Sequence, residues 1–338
     1  MGMLHALLVA ASLAAGELIL DSRATGYRWE DEWDFVTQTG AQTGNNELQD
    51  YVPEQVRADA SGLSLVLQQA GERYVSGKIR SKRSLQELAP DGGTFGLHFD
   101  LPTGGLAPGL WPAVWILPRD APWPTGGEID LVEMMHRSGR PSTATSGFAT
   151  LHFGPRVGVD AVYDGQWVMP LAHFEWREGS QSLYFSWQRA RGSWTLRQWV
   201  NGALVWEQST DKTDRFLDFE KGKNFQGARR EDFAPGAPGD PAEVLQRAFD
   251  TEQLHIIVDL AFGGSPFGDE ADRTLQSSVF RINRFSVWAD PPTARLLATA
   301  KPEAHNLLLT GLGVLLCLAI PPVLWNLAST EYIEPSHE

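Results

Sequence analysis

Short runs of alternating apolar and polar residues recur along the chain between about residues 17 and 290. Alternation with a period of two is typical of β-strands that bury one face and expose the other. Turn-forming residues separate the runs, and the pair Asn201-Gly202 between two of them is a strong β-hairpin signal. The pattern predicts an all-β fold of two packed antiparallel sheets. The clearest runs are 63-LSLVLQ-68, 95-FGLHFDL-101, 183-LYFSW-187, 196-LRQWV-200, 255-HIIVDLAF-262 and 279-VFRINRFSVW-288.

One stretch, residues 207–250, interrupts this pattern. It is charged, carries Pro235, Pro238 and Pro241, and ends in the run EVLQRAF. Long connections of this kind between strands are uncommon in compact domains. We therefore predict a surface insertion here, with one short helix near its end.

The segment 128-EIDLVE-133 places three carboxylates among apolar residues typical of a buried strand. Glu128 and Asp130 share one face of a regular strand, whereas Glu133 points to the opposite face. Burial of that carboxyl among apolar groups is costly unless it is paired or protonated. A β-bulge, one extra residue around Leu131-Val132, instead turns all three acids to the same face. The sequence therefore predicts a bulge.

Two Glu residues on one face with an Asp between them suit the hydrolysis of glycosides. That reaction needs a carboxylic acid to protonate the leaving oxygen and a carboxylate to attack the anomeric carbon or to activate water. The Asp can hydrogen-bond one Glu and help to hold the two pKa values apart. Taken alone, the same string also fits a solvated acidic edge or a metal site.

Composition narrows the choice of ligand. The chain has 338 residues and a formal net charge of −14, which argues against nucleic-acid binding because that function needs a basic surface. Its thirteen tryptophans fit either a sugar-binding face or a Trp-rich core. Cys317 is the only cysteine, so there is no intrachain disulfide, and a chain of this size does not need one.

The N-terminal residues 1–16, MGMLHALLVAASLAAG, have a short apolar core followed by small residues. These are features of a cleavable signal peptide, which we predict here. The alternatives are a buried first strand and a retained anchor.

Near the other end, residues 306–327 contain no charged side chain and are long enough to cross a bilayer as a helix. A buried C-terminal helix is the alternative. With 296–305 as a linker and 328–338 as a short tail, we predict a membrane-anchored protein. Its catalytic domain, residues 17–295, would then be extracellular or lumenal.

The blocks around the acidic string resemble glycoside hydrolase family 16, especially its laminarinase-like branch of endo-β-1,3-glucanases. The family pattern Glu-Ile-Asp-hydrophobic-hydrophobic-Glu appears here as 128-EIDLVE-133. Similar blocks follow in the family's order over about residues 29–288. They are 29-WEDEWDF-35, which resembles the opening strand, 45-NNELQDY-51, 77-GKIRSK-82, 95-FGLHFDLP-102, 110-LWPAVWILP-118, 122-PWPTGGE-128, 149-ATLHFG-154 and 260-LAFGG-264.

The resemblance implies a β-jelly-roll sandwich of two curved antiparallel sheets with a concave substrate cleft, and hydrolysis with retention by double displacement. It implies that Glu128 is the nucleophile, Glu133 the general acid/base and Asp130 the helper beside the nucleophile. The substrate-binding residues that it implies are Trp115, Trp123, His152 and Asn45. The two tryptophans would stack on glucosyl units.

The sequence departs from the family pattern at several places. The 207–250 insertion has no counterpart in that pattern, and the block that follows Glu133 differs from the usual Gly-containing turn. Asp259 stands where Asn is common, and Asn283-Arg284 replaces an acidic residue that helps to hold a structural calcium in some relatives. The resemblance therefore gives calcium little support, and we expect neither a cofactor nor a metal site.

These observations predict an endo-acting hydrolase of β-1,3 or mixed β-1,3/1,4 glucan. The alternatives are a cell-wall glucan transglycosylase of the same fold and a non-catalytic β-glucan sensor, and galactan-cleaving relatives share the catalytic string. The expected partners are a β-glucan polysaccharide and, through the C-terminal helix, a membrane. No nucleic-acid partner is expected, and the protein is predicted to be a monomer.

Overall fold

The computed structural model describes residues 17–136, 146–153, 167–176, 179–211 and 241–289. The predicted signal peptide, linker, membrane helix and tail lie outside these ranges, and so does most of the predicted insertion. None of the helices within them combines the length and apolar composition that a bilayer crossing requires.

Strands make up most of the described part of the chain. In chain order they are β1 (Leu18–Asp21), β2 (Trp33–Phe35), β3 (Gln49–Tyr51), β4 (Val56–Asp59), β5 (Gly62–Ala70), β6 (Arg73–Ser76), β7 (Lys78–Ser81), β8 (Gly92–Asp100), β9 (Leu110–Pro118), β10 (Glu128–Glu133), β11 (Ser146–Phe153), β12 (Trp167–Glu175), β13 (Gln181–Ala190), β14 (Ser193–Val200), β15 (Ala203–Ser209), β16 (Leu254–Phe262) and β17 (Ser277–Trp288). The helices are α1 (Trp29–Glu32), α2 (Leu85–Leu88) and α3 (Pro241–Thr251), with 3-10 turns at Gly40–Gln42, Pro53–Gln55 and Gly268–Glu270.

The strands form two sheets. The larger sheet has the order β15-β14-β13-β8-β17-β5-β6-β3, with β1 beside β17 and β4 beside β5. The smaller sheet has the order β12-β11-β10-β9-β16-β7-β2. Pairing in the described residues is antiparallel except between β3 and β6. The predicted two-sheet β-sandwich is therefore confirmed.

The core lies between the two sheets, because each strand turns alternate apolar side chains inward. Phe95 and Leu97 on the larger sheet and Val114 and Ile116 on the smaller one are fully buried. The opposite face of the smaller sheet, which points away from this core, is called the site face below.

The hairpin predicted at Asn201-Gly202 joins β14 and β15. Both residues have positive φ angles, 52° and 81°. This is the backbone geometry that a two-residue hairpin turn requires, and it explains why Asn and Gly occur at these positions.

The prediction of an opening strand over residues 29–35 is wrong for its first half, which forms the helical turn α1. A strand would place Asp31 on the same face as Trp29 and Trp33. A helical turn instead puts the two tryptophans, four residues apart, on one side, and leaves the acid exposed. Both tryptophans are buried, and their ring centroids lie 6.2 Å apart.

Helix α3 confirms the short helix predicted near the end of the insertion. It is not merely a surface element, because Val244, Leu245 and Phe249 are buried. The Phe249 ring lies 5.4 Å from the ring of Trp194 on β14. The helix is therefore attached to the larger sheet.

Most of the tryptophans whose side chains are described belong to buried clusters. The buried ones are Trp29, Trp33, Trp176, Trp187, Trp194, Trp199, Trp206 and Trp288. Trp111 and Trp115 are half-buried on β9, and Trp123 is 39 % exposed. A Trp-rich interior accounts for eight of them, and the remaining three lie at or beside the site face.

Candidate active site

Strand β10 contains the predicted bulge. Against β11, Asp130 is paired with Thr150 and Glu133 with Phe148, so three steps on one strand face two on the other. The register against β9 shifts between Asp130 and Val132 as well. One extra residue therefore interrupts the alternation at the position that the spacing of the acids predicts.

The bulge separates the apolar residues of β10 from its acids. Ile129, Leu131 and Val132 are at most 3 % exposed and belong to the core. Glu128 and Glu133 are half-buried on the site face. The strand thus avoids the cost of placing a carboxyl inside the apolar core.

His152 on β11 lies among the acids. It is paired with Glu128 in the strand register, and its Nε2 lies 3.0 Å from Oδ2 of Asp130. Burial lowers the pKa of His152, but the hydrogen bond and charge of Asp130, with Glu128 and Glu133, outweigh burial and raise it to about 10. The imidazole is therefore a cation at neutral pH and forms an ion pair with Asp130.

Glu133 has the environment of a general acid. Burial first, and then the charge of Asp130, raise its pKa to about 8, against weaker opposing effects of His152, Thr150 and Trp111. The Thr150 hydroxyl donates a hydrogen bond to its Oε2 at 3.2 Å. Glu133 therefore holds a proton at neutral pH, as a group that must protonate a leaving oxygen requires.

Glu128 has a different set of neighbours. The indole N–H of Trp123 donates a hydrogen bond to its Oε2 at 3.0 Å. Burial raises the pKa of Glu128, while the charge of His152 and the indole hydrogen bond oppose that rise. A hydrogen-bond donor and a nearby cation both favour the carboxylate form, which is the form that can act as a nucleophile.

Among the described residues, one group is spaced closely enough to ligate a metal, and it consists of Glu128, Asp130 and His152. One possible ligand atom from each of these residues lies within 4.8 Å of the others. A metal ligand must be a neutral imidazole, however, whereas His152 is held as a cation. The residues therefore fit an ion pair better than a metal centre.

Trp115 on β9 stands opposite Asp130 in the register and is fixed by two neighbours. Its indole N–H donates to Oδ2 of Asp259 at 3.2 Å, and Nζ of Lys78 lies 4.9 Å from its ring centroid. Nζ of Lys78 is also 3.7 Å from the Asp259 carboxylate. A buried ion pair therefore orients this predicted sugar platform.

The Lys78–Asp259 pair was not identified from the sequence as part of the site. Burial raises the pKa of Asp259 to about 7, with Lys78 opposing the rise. The only sequence signal was the departure from the common Asn at position 259. Its meaning depends on β7 pairing with β16, which places Lys78 directly opposite Asp259.

The other aromatic and amide positions are distributed around this centre. Trp111 is half-buried, and its ring centroid lies 5.9 Å from that of Phe267. Its side chain is therefore partly packed and partly accessible to solvent. The Trp123 ring centroid lies 6.5 Å from that of His152. Asn45 lies in a loop where its carbonyl oxygen accepts hydrogen bonds from the amide and hydroxyl of Ser265. Its role in sugar binding stays a prediction.

At the position associated with calcium in some relatives, this chain has hydrogen-bond donors. Arg284 donates two hydrogen bonds to Asp21, at 3.0 and 2.6 Å. The Asn283 amide donates to Asp100 and to Ser180, each at 2.9 Å. A guanidinium and an amide N–H facing the carboxylates do not fit a bound cation.

The fold is similar to that of solved laminarinases and endo-1,3-β-glucanases. The laminarinase catalytic domain of Thermotoga maritima MSB8 aligns with a TM-score of 0.54 over 82 % of this chain and 100 % of that chain, at 20 % identity. The endo-1,3-β-glucanase of Streptomyces sioyaensis gives 0.56 over 81 % and 96 %, at 15 % identity. This chain has the laminarinase-like fold of glycoside hydrolase family 16.

Sequence comparison indicates a distant relationship to an enzyme of the same kind. A glucan endo-1,3-β-glucosidase of Niallia circulans is 29 % identical over 220 residues, which are 62 % of this chain and 26 % of that protein. The chain thus matches about a quarter of that relative's length. No family model matches the chain.

Proposed function

We propose that this protein is a retaining, endo-acting glycoside hydrolase that cleaves β-1,3 or mixed β-1,3/1,4 glucan by double displacement. The observation that carries the proposal is the bulge in β10, which gathers Glu128, Asp130 and Glu133 on one face. The distant relationship to endo-1,3-β-glucanases supports a β-glucan as the substrate.

In the first step, a carboxylate oxygen of Glu128 attacks the anomeric carbon, and Glu133 transfers its proton to the departing glycosidic oxygen. The raised pKa of Glu133 supports this role, because the group still carries a proton at neutral pH. The product is a glycosyl ester on Glu128 and a shortened glucan with a free hydroxyl group.

In the second step, Glu133, now ionised, accepts a proton from a water molecule that attacks the same anomeric carbon. The ester bond to Glu128 breaks, and its carboxylate is restored. The Asp130–His152 ion pair stays beside both glutamates, so its opposite charges moderate the change of charge on the two acids.

Substrate would lie along the site face across β10 and β9. Trp123 is the most exposed of the aromatic side chains at the site, and Trp115 is fixed beside Asp130. Flat rings of this kind suit the apolar faces of glucosyl units. An endo-acting enzyme needs such contacts on both sides of the cleaved bond.

The full chain should be incubated with laminarin, mixed-linkage glucan, cellulose, agarose and carrageenan, and product sizes and new linkages should be measured. The proposal expects short β-1,3-linked or mixed-linkage oligosaccharides. Longer chains with new linkages would instead identify a transglycosylase, and binding without cleavage would identify a sensor. Cleavage of only the galactans would contradict the proposed substrate.

Azide rescue separates the roles of the two glutamates. In Glu128→Ala, azide should replace the nucleophile and give an α-glycosyl azide. In Glu133→Ala, azide should attack the glycosyl ester and give a β-glycosyl azide. The opposite pairing of products would reverse the assignment. Glu72→Gln, in the exposed turn between β5 and β6, is a matched control that should behave as the wild type.

We also propose, from the sequence, that the domain is held at a membrane and faces the extracellular or lumenal side. Fractionation of cells, followed by protease treatment of intact cells or vesicles, tests this placement. Recovery of the full-length protein in the soluble cytosolic fraction would contradict it.

A further inference from the structure

The loop that carries Trp123 joins β9 to β10 and enters the site directly before Glu128. Its first residue, Arg119, donates its N–H to the Gln253 carbonyl at 3.1 Å, but the backbone bonds within 122–127 are local. Gly126 N–H donates to the Pro122 carbonyl at 3.2 Å, and Gly127 N–H donates to that of Pro124 at 3.0 Å. These bonds shape the turn but do not fasten it to the rest of the protein.

Helix α3, from the end of the insertion, supplies a contact from outside the loop. The guanidinium of Arg247 donates a hydrogen bond to the Thr125 carbonyl. One turn earlier, Val244 packs at Gly127, where an added Cβ would lie 3.2 Å from the Val244 Cγ1 atom. Gly127 has a φ of +77°, a conformation that glycine adopts without steric cost.

The helix is itself firmly placed. The Trp194 indole N–H donates to Oδ1 of Asp250 at 2.9 Å, and the Phe249 ring centroid lies 5.4 Å from that of Trp194. Val244 is fully buried. The helix therefore connects the larger sheet to the Trp123 loop of the smaller one.

We propose that Arg247 is a positioning residue for the catalytic nucleophile. It holds the 122–127 loop so that the Trp123 indole keeps its hydrogen bond to Glu128. This inference rests on the proposed function for its kinetic consequence, but not for its structural one. It gives the insertion, which has no counterpart in the family pattern, a role in shaping the cleft.

The kinetic test is a double-mutant cycle between Arg247→Ala and Trp123→Phe. Phe keeps an aromatic ring but removes the indole donor. Arg247→Ala should lower kcat/KM on the order of tenfold through misplacement of the loop. It should also move the acid limb of the pH profile upward, because the indole hydrogen bond lowers the pKa of Glu128. In the Trp123→Phe background, Arg247→Ala should shift that limb no further.

Two variants serve as controls for the cycle. Gln246→Ala removes contacts of the same helix that do not reach the loop, so it should leave the acid limb in place. Arg247→Lys retains a cationic donor and should recover most of the loss. Additive effects of Arg247→Ala and Trp123→Phe on the acid limb would overturn the proposal.

The contact between Arg247 and the Trp123 loop can also be tested by NMR, even if no glucan is cleaved. The full-length protein is labelled with 5-fluorotryptophan, and the Trp123 signal in its ¹⁹F NMR spectrum is identified by its loss in Trp123→Phe. Arg247→Ala should shift or broaden that signal, whereas Gln246→Ala and Arg247→Lys should not. An unchanged Trp123 signal in Arg247→Ala would contradict the proposed contact. A shifted signal in a protein that cleaves no glucan would support the contact while rejecting the proposed function.

Discussion

The site face and the edge where β1 meets β17 both contain buried or half-buried carboxylates. The two regions differ in the number of cations that neighbour each carboxylate. At the edge, Asp21 has a cation of its own in Arg284, held by two hydrogen bonds. Burial raises the pKa of Asp21, but Arg284 and the Arg23 amide outweigh burial and hold it below its ordinary value.

On the site face, several acids share few cations. His152 lies among three carboxylates, and burial raises the pKa of each of the three. Shared counter-charges leave acids that can gain or lose a proton near neutral pH, whereas dedicated pairs leave acids that stay ionised. On the proposed function, the first arrangement serves proton transfer and the second serves stability.

The largest expected effect is the loss of activity in Glu133→Gln, about 10²- to 10⁴-fold in kcat for substrates with a poor leaving group. The physical reason is that the amide cannot protonate the leaving oxygen. Glucan hydrolysis rates check the loss, with Glu72→Gln as the control. Activity equal to that of the wild type would contradict the assignment.

The same substitution should increase stability at alkaline pH. The pKa of Glu133 is raised, so its contribution to stability is fully present below the ordinary value of 4.5 and is lost as the pH rises through about 8. Glu133→Gln carries no such proton. Its Tm relative to the wild type should therefore rise between pH 5 and pH 9. A constant Tm difference across that range would show that Glu133 is not protonated in the folded protein.

Asp130→Asn should move the alkaline limb of kcat/KM to lower pH. The charge of Asp130 raises the pKa of Glu133, so its removal lets Glu133 ionise earlier. The pKa of His152 should also fall, because Asp130 is the principal partner of its cationic form. A pH–rate profile checks the first effect, and NMR titration of His152 checks the second. An alkaline limb that stays in place or rises would contradict this coupling.

Arg284→Ala should reduce the free energy of unfolding by about 2 kcal/mol while leaving kcat nearly unchanged, because it removes hydrogen bonds to a charged, half-buried partner. Arg281 on the same strand offers a matched comparison, since its partner Asp59 is largely exposed. Arg281→Ala should cost less, because solvent screens the pair with Asp59. Urea unfolding measures both. A loss of activity without a loss of stability in Arg284→Ala would break the contrast between the two regions.

The smallest expected effect is that of a chelator. Because Arg284 and Asn283 donate to the carboxylates at this edge, EDTA should leave the Tm unchanged. A marked fall in Tm that calcium restores would contradict this prediction and show that the protein binds a stabilising cation.

The sequence predicted those features that follow from local spacing. The bulge followed from three acids that could not all face one side of a regular strand, and the hairpin followed from Asn201-Gly202. Helix α3 followed from the run EVLQRAF.

The features that were missed depend on which strands meet. The Lys78–Asp259 pair exists only because β7 pairs with β16 in one register, and the contact of Arg247 with the loop depends on where α3 docks. The opening strand was assigned wrongly because a spacing of four puts Trp29 and Trp33 on one side of either a strand or a helical turn. Only the exposed position of Asp31 favours the turn.

The most direct test of the account is to trap the covalent intermediate. The full-length protein is incubated with an activated 2-deoxy-2-fluoro laminaribioside, which slows the second step, and the labelled peptide is identified by mass spectrometry. The proposed mechanism predicts one label, on Glu128, that is absent from Glu128→Gln. A label on another residue, or rapid glucan cleavage with no label on Glu128, would contradict it.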